Sequence, residues 1–225
     1  MPDPAENTAI AENTVAAREH AVPVPDVEES IEAEGPAGNP ALIGVPTFLV
    51  GSIALGLVLT GYVPATAVGA SIPIIMTATG IGQVISAIWA ANLAQNAVAA
   101  IFGIFSGFWL SYAALVLGLT HNWFGITATA VVPTEKLFLL SWLIVIVLLT
   151  LVSLRLPAVF TVLFVLIDLA LLFVLLGTAG ASTGETRTGG YLVFAFVIVG
   201  AYIFVDAMNS ATGGRALPLG RPVLH

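Results

Sequence analysis

The sequence predicts an all-α, polytopic membrane protein: a six-transmembrane-helix bundle with a disordered acidic N-terminal tail. Three observations predict it. The 225 residues are 58% hydrophobic and only 8% charged, whereas soluble domains carry about 25% charged residues. Six apolar runs follow one another, each close to the roughly 20 residues that cross about 30 Å of hydrocarbon as a helix. Nine of the thirteen carboxylates fall between Asp3 and Glu34, ahead of the first run, so the net charge of -7 describes a tail rather than the body of the chain.

That tail, residues 1–38, contains a small duplication, Ala5-Glu6-Asn7-Thr8 and Ala11-Glu12-Asn13-Thr14, followed by a Pro- and Glu-rich stretch. Its composition buries too little apolar area to offset the entropy of ordering, so disorder is expected. A solvated tail is favoured over a partner-binding one. It is not a signal peptide, because no basic segment leads directly into an apolar stretch; the first membrane helix is expected to serve as an uncleaved signal.

The transmembrane domain, residues 39–210, holds spans expected at 41–61, 66–90, 97–118, 136–154, 156–177 and 190–208. Backbone polar groups must be satisfied within each segment in lipid, which makes them helices. The fourth and fifth meet at Leu154-Arg155-Leu156-Pro157, where an arginine marks a membrane boundary and a proline suits the first turn of the next helix. Gly180 to Gly190 reads as a flexible external loop, and residues 211–225 as a C-terminal tail. An even number of spans puts both termini on one side with Arg18, Arg155, Arg215 and Arg221, against Lys136 and Arg187 opposite. The positive-inside rule then favours cytoplasmic termini in a multi-pass cell-membrane protein.

Small residues recur at helix-packing spacing: Ser52 and Gly56 on the first span, Gly82, Ser86 and Ala90 on the second, Gly103 and Gly107 on the third. Packing within one bundle is the ordinary reading; packing between protomers is the sharper one. The sequence has no cysteine, and none of its three histidines lies in a span. No cofactor, metal site or nucleic-acid partner is expected, and an enzyme is disfavoured.

Most polar side chains in the spans are hydroxyls, which satisfy themselves on the preceding turn's carbonyls. Gln83 and Asp168 are different. A primary amide and a carboxyl in lipid need partners on other helices or a wet cavity, and an ionisable group costs roughly 2.5–3.5 kcal/mol or more at mid-membrane. Asp168 is equally consistent with a proton relay and with a hydrogen-bonded structural carboxyl. At the start of the first helix, Asn39-Pro40 places a capping residue before a proline, and the helix N-terminus there is a candidate anion receiver as well as an ordinary cap.

The stretch Asn39-Pro40-Ala41-Leu42-Ile43-Gly44-Val45-Pro46-Thr47-Phe48 resembles the Asn-Pro-Ala-Pro-Leu-Gly-Leu signature of the acetate uptake transporter family, the succinate-acetate permeases and their fungal acetate- and ammonia-associated relatives. The likeness continues through Gly80-Ile81-Gly82-Gln83, Gly107-Phe108-Trp109-Leu110-Ser111-Tyr112, Arg155 with Leu166-Ile167-Asp168-Leu169-Ala170, and Arg215-Ala216-Leu217-Pro218-Leu219-Gly220. The resemblance implies a six-helix protomer, assembled as a homohexamer, with a solute pathway through each protomer. It places the constriction at Phe48, Phe105 and Ile167, where the family usually carries phenylalanine, tyrosine and leucine. Losing the tyrosine hydroxyl at Phe105 implies a drier gate. Between the second and third spans the family's glutamate is replaced, leaving Gln95 and Asn96 as the nearest polar groups, so the chain reads as a divergent member.

The function so implied is a transporter or channel for small monocarboxylates such as acetate, with succinate as a further candidate and protons as co-substrate. Asn39, Gln83, Phe48, Phe105 and Ile167 are the expected substrate-binding residues and Asp168 the proton-coupling candidate. Movement of ammonia or ammonium and a non-transporting membrane scaffold are the alternatives.

Overall fold

The structure, a computed structural model, describes residues 38–224. The acidic tail, with its expected disorder and with Arg18, lies outside the described residues. Six helical segments are long and apolar enough to cross a membrane. Helix α1 is Ala41–Leu59. The second crossing is composite: a 3-10 stretch Ala65–Ser71, a π-helical stretch Ile74–Ile81, then α2, Gly82–Asn92. It is followed by α3, Asn96–His121, α4, Val131–Ser153, α5, Ala158–Gly180, and α6, Thr183–Ala211. The protein is thus an all-helical, multi-pass membrane protein.

The helices close into a ring. Contacts run from α1 to the second crossing, on to α3, and from α4 through α5 and α6 back to α1; α3 touches α4 only slightly, so that seam is the thinnest. Glycines let the first three crossings approach closely. A Cβ at Gly51 would collide with Thr79, one at Gly82 would meet Thr47 at 2.5 Å, and one at Gly80 would collide with Leu110. Across a π-helical stretch the widened turn leaves carbonyls poorly used, and here Ser106 Oγ of α3 donates to Gly80 O at 3.0 Å. Of the small-residue seams, Ser52, Gly56, Gly82, Ser86 and Ala90 are buried inside the protomer, the ordinary packing reading; Gly103 faces outward.

Two expected boundaries are corrected. Helix α4 starts at Val131 rather than 136, because a 3-10 turn, Ala128–Ala130, leads directly into it and Pro133 falls in its first turn, where no N–H is needed. Glu135 therefore sits on a helix that lines the bundle. Helix α6 starts at Thr183 rather than 190. The expected loop is only a tight turn through Ala181, at φ 48, and Ser182, whose Oγ accepts from Glu185 N at 3.4 Å. The glycines that suggested flexibility are packing positions instead: a Cβ at Gly189 would meet Val174 at 2.7 Å, and one at Gly190 would meet Thr60 at 2.8 Å.

The structure also places the C-terminal tail. It does not leave the bundle but folds back as a strap over the α4–α5 hairpin. Val159 N donates to Leu219 O at 3.1 Å, Val223 N and Leu224 N donate to Leu154 O at 3.0 and 2.8 Å, and Tyr202 Oη donates to Pro218 O at 3.0 Å. The strap thus caps the Leu154 carbonyl before Pro157 and the Val159 N–H after it, groups left open where the proline interrupts the helical ladder.

Candidate functional site

Three cavities lie in series inside the ring. The first, about 260 Å³, opens at the end that carries Asn39 and the strap, and is bordered by Gln83, Asp206 and Leu219. The second, at the centre, is about 70 Å³ and almost wholly apolar. The third, about 420 Å³, lies toward the opposite end and is bordered by Glu135, Thr178 and Thr186. Phe48 and Phe105 line both the first and the second cavity. Tyr112, Phe138, Leu139 and Val174 line both the second and the third. The three cavities are therefore separated by two constrictions.

The first constriction is aromatic. Phe48 meets Phe105 edge-on with ring centroids 5.1 Å apart, and lies 5.6 Å from Phe196 and 6.2 Å from Trp109. Phe164 stacks on Phe105 at 6.0 Å. Ile167 borders the central cavity beside these rings, so the structure brings Phe48, Phe105 and Ile167 together. Sequence reading missed Phe164 and Phe196, which complete the aromatic collar, and the whole second constriction. In a chain with twelve phenylalanines, nothing in spacing alone singles these out.

Gln83 is fully buried, yet neither its amide oxygen nor its amide nitrogen has a hydrogen-bond partner among the described residues. Such groups are rare, because an unmade bond costs about 1–3 kcal/mol. It borders the first cavity, where a solute or water can satisfy it. Trp109 Nε1 is a second buried donor without a partner, on a residue that borders the central cavity.

Asn39 stands at the mouth of the first cavity, but the helix end behind it is not an open anion receiver. Asn39 Oδ1 accepts from Ala41 N at 3.0 Å. Leu42 N donates to Asn39 O, and Ile43 N and Gly44 N donate to Pro40 O, at 2.9–3.1 Å. The first turn is thus satisfied internally, and what Asn39 offers the cavity is its amide Nδ2. Ser86 Oγ donates to Pro40 O at 2.7 Å and fixes this turn on α2.

Asp168 borders none of the three cavities. It neighbours Ile167 in sequence, and Ile167 faces the passage, so the next helical position turns away. Its Oδ2 accepts from Thr150 Oγ1 at 2.7 Å. With Thr161 Oγ1 donating to Ser153 O at 3.0 Å, this forms a polar stitch between α4 and α5. The ionisable groups that do border the passage are Asp206 and Glu135, one at each end, and sequence reading missed both. Glu135 was hidden by the misplaced start of α4, and Asp206 by its nearness to the end of α6.

The sequence matches the description of a known family, GPR1/FUN34/yaaH, over residues 27–214. The chain belongs to the GPR1/FUN34/yaaH family. It is also similar to "Accumulation of dyads protein 2" of Saccharomyces cerevisiae, with 30% identity over 196 residues that cover 80% of this chain and 66% of the yeast protein. The chain thus spans just under two thirds of that relative's length. Among solved structures it superposes on the bacterial acetate channel SatP with a TM-score of 0.72 at 19% identity, covering 81% of this chain and 99% of the channel. At that identity the likeness shows the fold alone: a helical bundle shared with that channel.

Proposed function

We propose that the protein passes small monocarboxylates of the acetate class through the interior of its helical ring, in a proton-linked manner. The observation that carries the reading is the series of three interior cavities, the first two meeting at the Phe48–Phe105 pair. Family membership and the fold of an acetate channel point the same way.

Gln83 and the Asn39 amide are the polar groups that receive the carboxyl in the first cavity. The methyl end of the solute suits the apolar constriction of Phe48, Phe105 and Ile167, which admits a small, dehydrated molecule and excludes bulky ones. A dicarboxylate such as succinate would bring a second charge into the same apolar stretch, so monocarboxylates fit better. Asp168 stitches α4 to α5 and stands outside the pathway. Assembly as a ring of six and cytoplasmic termini in the cell membrane belong to the same proposal. Among the described residues, Arg155, Arg215 and Arg221 lie at the end shared by Asn39 and the strap.

The test is uptake of labelled acetate into proteoliposomes, after subtraction of the uptake by protein-free vesicles. Uptake that saturates, and that larger monocarboxylates compete with only weakly, supports the proposal. Correctly inserted protein with no uptake above the protein-free background would overturn it.

A further inference from the structure

Resting on the monocarboxylate reading, we propose that the indole N–H of Trp109 is the hydrogen-bond donor that receives the carboxylate in the central cavity. It makes this step selective for solutes that accept hydrogen bonds.

The first support is a buried donor with one place to find an acceptor. Trp109 is 2% exposed, and its Nε1 is buried without a hydrogen-bond partner among the described residues. A buried N–H left unpaired is costly enough to be rare. The indole packs near edge-on against Phe48, at 6.2 Å, and Phe108, at 5.0 Å, and neither ring offers a lone pair. Of the three cavities Trp109 borders only the central one. That cavity is the space in which its N–H can be satisfied.

The second support is what else lines that space. Trp109 and Tyr112 are the lining residues that carry a polar side-chain atom; the rest are phenylalanine and aliphatic. Both stand on α3, and Tyr112 borders the third cavity as well. An acceptor leaving Trp109 therefore finds the Tyr112 hydroxyl about one turn further along the same face. Phe105, about one turn earlier on α3, offers no polar atom. The central cavity, about 70 Å³, has room for a few waters, hence for a solute the size of acetate and little more. A carboxylate that enters has shed most of its hydration and regains only what the lining donates. An indole N–H donates and does not accept, and its bond to a charged acceptor is about twice as strong as one to a neutral group. Ammonium and methylammonium carry donors only and gain no hydrogen bond from it.

The test watches the N–H itself. Protein isotopically labelled at its indole nitrogens gives one N–H signal in the NMR spectrum for each of its four tryptophans. Sodium acetate is titrated in against sodium gluconate at equal ionic strength. We expect one indole proton to move downfield and saturate with acetate, and to stay in place with gluconate, which is too large for the cavity, and with methylammonium. That signal should persist in Trp89→Phe, Trp123→Phe and Trp142→Phe and be absent from Trp109→Phe, so its assignment does not depend on the Trp109 variant folding. In proteoliposomes, Trp109→Phe should lower acetate uptake above the protein-free background about tenfold or more, through loss of one charge-assisted bond. A residue that merely filled space would let uptake rise, because phenylalanine is smaller. A Trp109 signal indifferent to acetate would overturn the proposal, as would uptake by Trp109→Phe at or above the wild-type level, or a shift with methylammonium equal to that with acetate. Wild-type protein with no uptake above background would overturn the monocarboxylate reading and this inference with it.

Discussion

Replacing Gln83 with methionine is expected to stabilise the protein and impair it at the same time. Both amide heteroatoms are buried without a protein partner, and each unmade bond costs about 1–3 kcal/mol. The side chain borders a cavity of about 260 Å³, roomy enough for water to recover part of that cost. The expected gain on substitution by the similarly sized methionine is therefore about 1–2 kcal/mol rather than the full sum. The solute, by contrast, loses up to two hydrogen bonds at about 0.5–1.5 kcal/mol each, which predicts uptake lower by roughly tenfold to a hundredfold at limiting acetate. Thermal unfolding of the purified protein in detergent reads the first quantity, and proteoliposome uptake the second. A variant that is destabilised by more than about 1 kcal/mol would mean that Gln83 has structural partners after all, and one with unchanged uptake would remove it from the solute's path.

Four other outcomes are expected. Phe48→Ala removes the ring that contacts Phe105, Phe196 and Trp109 at 5.1–6.2 Å; stability should fall by about 3 kcal/mol, the low end for buried phenylalanine because the site already borders cavities, and competition assays should show larger monocarboxylates gaining on acetate. Asp168→Asn keeps an acceptor for the Thr150 hydroxyl and lies off the passage, so uptake should stay within about twofold of wild type; loss of proton-stimulated uptake would restore Asp168 as a relay. Ser182→Ala removes the side-chain acceptor for Glu185 N and should cost about 1 kcal/mol in thermal unfolding. Gly190→Leu drives a side chain into Leu59 and Thr60, where even a Cβ comes within 2.8–2.9 Å; it should fail to accumulate in membranes, whereas Gly103→Leu, on the outer face, should accumulate normally.

The fold was legible because the bilayer leaves few choices: an apolar run of about 20 residues has to become a helix to satisfy its backbone. What spacing could not supply was the reason a glycine is present. Gly189 and Gly190 look like a flexible linker in one dimension and are contact points against α5 and α1 in three. Likewise the fourth span was expected to start at 136, yet Pro133 falls in the first turn of a helix that starts at Val131, and proline in a first turn begins a helix as readily as it ends one. The C-terminal strap was unreadable for a related cause, since its partners at Leu154 and Val159 are more than fifty residues away in the chain.

For the site, position along a helix was legible and direction was not. Ile167 and Asp168 are adjacent, and an apolar sequence flags the aspartate as the functional residue because it is costly in lipid. A helix turns by about 100° per residue, however, and here the isoleucine receives the passage while the aspartate receives Thr150. A hydroxyl on the neighbouring helix satisfies Asp168 Oδ2, while Oδ1 is buried without a partner among the described residues, so the same rarity that marks function can equally mark a stitch. Glu135 and Asp206 escaped notice for the opposite reason: near a helix end a carboxylate is expected to face water, and no rarity marks it. What identifies them is that both ends of a single interior passage carry one, with no cation beside it in the lining. A charge pattern of that kind belongs to the passage and not to either segment, and becomes visible only once the ring has closed.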